Sequence, residues 1–180
     1  IMPQARHLEE AVLGAIMLEK ESFDVVSGFL KEESFYIDAH QRIYKAMRQC
    51  YEDNQPIDIL TVVERIKLNG ELETIGGAYY VAALTNKIAS SANLEYHGRL
   101  LAQKHLKREL ISLSNEFIRD AFDETVDVFN LMDKAEASLF ALSEDNLRKS
   151  AAQINSVLTD ELQEIDERRK KAIDGNVLTG

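Results

Sequence analysis

Residues 106–142, LKRELISLSNEFIRDAFDETVDVFNLMDKAEASLFAL, decide the fold class. Leu106, Leu110, Leu113, Phe117 and Ala121 are spaced 4, 3, 4 and 4. After the acidic stretch Asp123-Glu124-Thr125 the spacing resumes at Val128, Met132, Ala135, Leu139 and Leu142, at 4, 3, 4 and 3. Side chains three and four apart share one face of an α-helix, so each run predicts a helix with an apolar stripe and the interruption predicts a turn. Neither Gly nor Pro occurs between Gly98 and Gly175, a span that only helices use comfortably. Extended back to about Ala92, the first helix runs roughly 45 Å to Phe122 at 1.5 Å per residue. Two such helices joined by a short connection predict an antiparallel hairpin. Ile111, Ile118, Phe122, Phe129, Leu131 and Phe140 lie off the two stripes; either a globular part of the same chain covers them or a second copy does.

Upstream, the pattern predicts short helices separated by turns. Leu8, Val12, Ala15 and Ile16 open the series, and Ser22 is placed to cap a helix carrying Phe23, Val26, Phe29 and Leu30. Asp38 with Gln41 has the spacing of a capping box, ahead of Ile43, Met47 and Cys50 with Tyr44 and Tyr51 flanking. Asp58 is placed to cap a helix through Ile59, Val62, Val63 and Ile66, which Asn69-Gly70 stops. Gly76-Gly77 opens another through Tyr80 and Leu84. Downstream of the hairpin, a polar break from Ser143 to Lys149 precedes a capping-box start at Ser150 and Gln153. The helix that follows, about 151–174, carries Ile154, Val157, Leu158, Leu162 and Ile165 and ends in Arg168-Arg169-Lys170-Lys171, which complements its dipole. Alone it cannot bury its stripe, so it needs a partner surface. The expected architecture is all-α: a compact multi-helix head at 1–91, a long antiparallel hairpin for self-association at 92–145, and a linker with an amphipathic helix at 146–180.

Composition narrows the function. The chain of 180 residues carries 21 basic and 31 acidic side chains, net −10, whereas a duplex-binding surface needs clustered Lys and Arg; little direct DNA binding is expected. One cysteine, Cys50, forms no internal disulfide and fits a reducing cytosol. No apolar run approaches the roughly 20 residues of a membrane span, and no signal-peptide pattern opens the chain; a soluble cytoplasmic protein without membrane contact is expected. Gly76-Gly77 lacks the Lys-Ser/Thr of a phosphate loop. His7, His40, His97 and His105 show no metal spacing and read as solvated or half-buried. Cys50 reads as core, Glu9-Glu10 as part of a solvated face, and Tyr79, Tyr80 and Tyr96 as core or subunit packing. No catalytic, cofactor or metal residue is assigned.

Six blocks, in order, carry a family resemblance: Leu8-Glu9-Glu10-Ala11-Val12-Leu13-Gly14; Phe35-Tyr36 with His40 through Ile43-Tyr44; Pro56-Ile57-Asp58 with Thr61; Gly76-Gly77-Ala78-Tyr79; Ser91-Ala92-Asn93-Leu94-Glu95-Tyr96; and Arg108-Glu109-Leu110-Ile111. The chain, ending in Leu178-Thr179-Gly180, resembles the N-terminal domain and interdomain linker of bacterial replicative DNA helicases of the DnaB type. The resemblance implies a non-catalytic collar of paired hairpins, three dimers above a ring of ATPase domains. It implies subunit contacts through Leu106, Leu110, Leu113, Phe117, Val128, Met132 and Leu139. It also implies docking of the linker helix on the neighbouring ATPase domain through Ile154, Leu158, Leu162, Ile165, Arg168 and Arg169. Primase and, in some lineages, a helicase loader are the implied partners. ATP and Mg are implied only for the parent's ATPase domain, since no Walker A motif stands in these 180 residues. The competing reading is a free-standing helical adaptor or regulatory oligomerisation module.

Overall fold

The computed structural model describes residues 2–87 and 93–144. The expected linker helix at about 151–174, with Ile154, Leu158, Leu162, Ile165, Arg168 and Arg169, lies outside the described residues. The chain divides into two units, Ile1–Glu124 and Thr125–Gly180. No strand occurs among the described residues.

The first unit contains six α-helices: α1 (Arg6–Leu18), α2 (Ser22–Ser27), α3 (Asp38–Glu52), α4 (Ile59–Leu68), α5 (Gly77–Thr85) and α6 (Leu94–Phe122), with a 3-10 turn at Glu32–Ser34 between α2 and α3. Its core is one cluster. Val12, Leu13 and Ile16 of α1 meet Phe23 and Val26 of α2, Ile43, Tyr44 and Met47 of α3, Val62 and Ile66 of α4, Val81 and Leu84 of α5, and Leu94 and Leu101 of α6. Each large side chain buried there contributes about 1.5–3 kcal/mol. Helix α1 is central, packing on α2, α3, α5 and α6. Only the first part of α6 belongs to this core. At Gly98 the helix approaches α2 so closely that a Cβ would lie 3.2 Å from Val26 and 3.1 Å from the Phe29 ring.

The turns follow local chemistry. Asp58 caps α4 as expected: its carboxylate accepts from the Thr61 N–H at 2.9 Å, and the Thr61 hydroxyl oxygen accepts from the Asp58 N–H at 3.1 Å. Gly76 and Gly77 both sit at positive φ, +98° and +79°, which lets the chain reverse sharply into α5. In the second unit, residues 128–144 form helix α7. The Asp127 carboxylate caps it, accepting from the Phe129 and Asn130 N–H groups at 3.0 and 3.1 Å.

Four local expectations are corrected. Ser22 is the first residue of α2, with Glu21 at the cap. Asp38 likewise lies inside α3, where its carboxylate accepts from Arg42 and Gln41 donates instead to the Phe35 carbonyl. In both cases a side chain one turn away, or burial, offered a better use than capping. Tyr44 does not flank α3's apolar face but fills the core; its hydroxyl donates to the Leu30 carbonyl at 3.2 Å, and burial pushes the phenol up to about 12. Tyr79 is not part of the core but 86 % exposed. Cys50 is buried on α3 as expected, and burial pushes its thiol pKa up.

Asp58→Ala removes the α4 cap and should lower stability by about 1 kcal/mol. Urea denaturation of the chain, comparing midpoints at constant slope, measures it.

Candidate functional site

Two features of the described chain go beyond packing: a buried polar network in the first unit, and uncovered apolar faces on α6 and α7.

The network starts at Glu9-Glu10, which are almost completely buried where a solvated face was expected. Buried carboxylates survive only with hydrogen-bond donors around them. Glu9 accepts from the N–H groups of Tyr36 and Ile37 at 2.8 and 3.3 Å and from His40 Nδ1 at 2.7 Å. His40, fully buried rather than solvated or half-buried, contacts the Tyr80 hydroxyl through Nε2 at 2.7 Å. In the neutral tautomer with its proton on Nδ1, the ring donates to Glu9 and its Nε2 accepts from the Tyr80 hydroxyl. Burial pushes the Tyr80 phenol up, which keeps it a donor. The neighbouring Glu10 receives Lys87 Nζ at 2.9 Å and Arg6 Nε at 3.0 Å. Burial alone would raise its pKa, but the hydrogen bonds and charges of Lys87 and Arg6 outweigh it and the net shift is downward. Sequence spacing missed the Glu9–His40–Tyr80 chain because its partners are 27 to 40 residues apart, and Lys87 lies further still from Glu10. A clue was the uninterrupted apolar periodicity around Glu9 and Glu10 in α1, which left those acids little room to face water.

The same loop is held from its other side. Arg108 of α6 donates to the Pro3 carbonyl at 3.1 Å, to Glu33 at 2.7 Å and to Ser34 at 3.0 Å, and lies over the Tyr36 ring at 5.7 Å. Desolvation lowers its pKa against upward pulls from Glu9, Tyr36 and Glu109; the guanidinium remains charged at any working pH. These groups are structural. Among the described residues no group of three His, Cys, Asp or Glu is arranged to hold a metal, and no helix is long and apolar enough to cross a membrane.

Beyond Arg108, α6 leaves several apolar side chains open. Ile111, Ile118 and Phe122, spaced 7 and 4, are exposed, Phe122 to 84 %, so the head does not cover them. Of the expected interface residues on α6, Leu106, Leu113 and Phe117 are half-buried and Leu110 is exposed. On α7, the expected Val128, Met132 and Leu139 are exposed, together with Phe129 (73 %) and Phe140 (70 %). At 100° per residue these five occupy a sector of about 120°. The less exposed face of α7 is the adjacent one, Leu131, Ala135, Ser138 and Leu142. Each helix therefore carries more apolar surface than a single stripe, and contiguous exposed apolar surface marks an interaction site.

Comparison with known proteins agrees with this organisation. A family model described as the DnaB-like helicase N terminal domain matches residues 1–103. The chain is 40 % identical over 166 residues to the replicative DNA helicase DnaB of Rhodothermus marinus, covering 92 % of this chain and 18 % of that protein. It is 30 % identical to that of Geobacillus stearothermophilus, covering 92 % and 37 %. The chain thus spans between about a fifth and two-fifths of these curated relatives. Among solved structures, the N-terminal domain of DnaB helicase from Mycobacterium tuberculosis superposes with TM-score 0.74 at 30 % identity, covering 79 % of this chain and 99 % of that one. A DnaB-like replicative helicase, described with its interactions with primase, superposes with TM-score 0.65 at 25 % identity, covering 77 % and 31 %.

The network generates a prediction with a sign. Glu10's folded-state pKa is depressed, so its contribution to stability is present above the unfolded-state value and is lost as pH falls through the folded one. Lys87→Met should leave a shallower acid limb in stability against pH, read by thermal melts below the ordinary carboxylate range. At neutral pH, Glu9→Gln, which turns an amide donor toward existing donors, should cost about 2–4 kcal/mol by urea denaturation.

Proposed function

Since the chain belongs to the DnaB-like helicase N-terminal domain family, we propose that it is the non-catalytic assembly and docking collar of a hexameric replicative DNA helicase. The parent is an ATP-dependent enzyme that unwinds duplex at the replication fork; ATP and Mg act in its ATPase domain, and these 180 residues carry no Walker A motif. The proposed division is a head at 1–91, a self-associating hairpin at 92–145 and a linker at 146–180.

The observation that carries the reading is the uncovered apolar surface on α6 and α7. Monomeric proteins leave single apolar residues at the surface, but three exposed phenylalanines on α6 and α7, with Ile111 and Ile118 exposed on α6 and Val128, Met132 and Leu139 on α7, favour burial against another copy. Burying one such side chain fully gains about 1.5–3 kcal/mol, so a handful supports association. The proposed subunit contacts are Leu106, Leu110, Leu113, Phe117, Val128, Met132 and Leu139, extended outward by Phe122, Phe129 and Phe140. Copies pair through their hairpins, and three pairs close the collar. In the linker, Ile154, Leu158, Leu162, Ile165, Arg168 and Arg169 dock on the ATPase domain of the adjacent subunit. The partners proposed are a second copy, the ATPase ring, primase and a helicase loader. The primase proposal is supported by the solved DnaB-like helicase described with its primase interactions. Net charge −10 supports a collar that makes little direct contact with DNA.

Light scattering over a concentration series tests the reading. The chain should form dimers or larger closed assemblies, and Met132→Glu should weaken association at least about tenfold while leaving the melting temperature of the dilute chain unchanged. A wild-type chain that stays monomeric at high concentration would overturn the assembly role.

A further inference from the structure

We propose that Arg108 is the positioning residue of the projecting half of α6: by clamping the backbone at residues 3 and 33–34, it sets the direction in which the exposed apolar surface leaves the head. The consequence for association rests on the assembly reading above; the clamp itself does not.

The segment from the 3-10 turn to the start of α3 is gripped from two sides. Its N–H groups at Tyr36 and Ile37 point into the buried Glu9 carboxylate, and its carbonyls at Glu33 and Ser34 point into the Arg108 guanidinium. A peptide segment thus lies between an acid anchored in the central helix and a base on the projecting one, each meeting the backbone dipoles of complementary sign. The third carbonyl, at Pro3, ties the chain start to the same guanidinium. Stacking on Tyr36 fixes the plane of the fork. Arginine suits this task because its rigid planar donor array serves several acceptors at once.

Position gives the clamp its leverage. Helix α6 is held in the core as far as Leu101 and Ala102, and Arg108 reaches back to the head six to seven residues further along. From Arg108 to Phe122 the helix continues for roughly 21 Å. A swing of about ten degrees at the clamp moves its end by roughly 4 Å, most of a helical turn. Apolar faces that must match those of a second copy tolerate no such drift, because core packing at interfaces is as dense as in protein interiors.

The test separates geometry from association. Spin labels at Glu52→Cys and Arg119→Cys, both in the first unit and exposed, report the head-to-α6 distance when labelled chain is diluted into unlabelled chain; the buried Cys50 stays in place. The wild-type distance distribution should be narrow, Arg108→Ala should broaden and shift it, and Arg108→Lys, with a single ammonium in place of the fork, should fall between. Association of Arg108→Ala should weaken about tenfold or more with helical content unchanged by circular dichroism, and Arg108→Lys should recover part of it. An unchanged distance distribution in Arg108→Ala overturns the clamp; a broadened one with undiminished association overturns its consequence for association. A monomeric wild type overturns the assembly reading and its consequence here, while the distance still decides whether the clamp exists.

Discussion

A single buried carboxylate constrains much of the head. Glu9 stands on the central helix and cannot reach water, so three donors must come to it: two backbone N–H groups and an imidazole. Meeting that demand folds the segment around Tyr36 and Ile37 over α1, sets the start of α3 by bringing His40 inward, and draws α5 close through Tyr80. Leaving a buried charge short of partners costs several kcal/mol, comparable to a large fraction of a domain's net stability. The polar group therefore acts as a specifier: apolar helices can slide against one another at little cost, but a carboxylate with three fixed donors accepts one arrangement. Arg108 extends the same logic to α6 through the loop's carbonyls.

Among the described residues, the polar side chains buried in the head find partners within it, apart from one oxygen of Glu71, whereas several apolar groups of α6 beyond Arg108 and of α7 stay exposed. These two conditions divide the work of the chain. The first makes a unit with a core of its own. The second leaves the apolar surface on which the proposed association rests. Family membership, with relatives that are replicative helicases, fits a domain that organises other parts and performs no chemistry itself.

What could be read from the residues was whatever depends on near neighbours. Helical periodicity located α1 and α3 through α7 to within a few residues, because 3.6-residue repetition and turn chemistry at Asp58, Gly70 and Gly76 act over one or two turns. Pairings across long loops were not legible. Glu9-Glu10 looks solvated beside charged neighbours, and His40 looks isolated, until folding places the loop over α1. Capping was misplaced at Ser22 and Asp38, since a residue with the right side chain lies as easily one step inside a helix as at its boundary. On α7 the apolar spacing was clear, yet spacing alone could not tell that Leu131 belongs to the less exposed face while Val128, Met132 and Leu139 belong to the open one. Their angular positions differ by less than a quarter turn or little more, which a stripe counted in threes and fours does not separate.

The contrast between head and projection also bears on the proposed association. If α6 and α7 contributed the head's only hydrophobic burial, separating two copies would unfold them, and assembly would be as slow as folding. Here Leu94 and Leu101 anchor α6 in a core that does not draw on Phe122, so the apolar surface further along can be covered or uncovered without cost to the fold. Rigidity then decides how much of the association free energy is realised. A projection free to swing would lose conformational entropy on pairing, subtracting from the gain of burial. A helix without Gly or Pro beyond Gly98, braced by an arginine fork on three carbonyls, has little of that freedom left to lose.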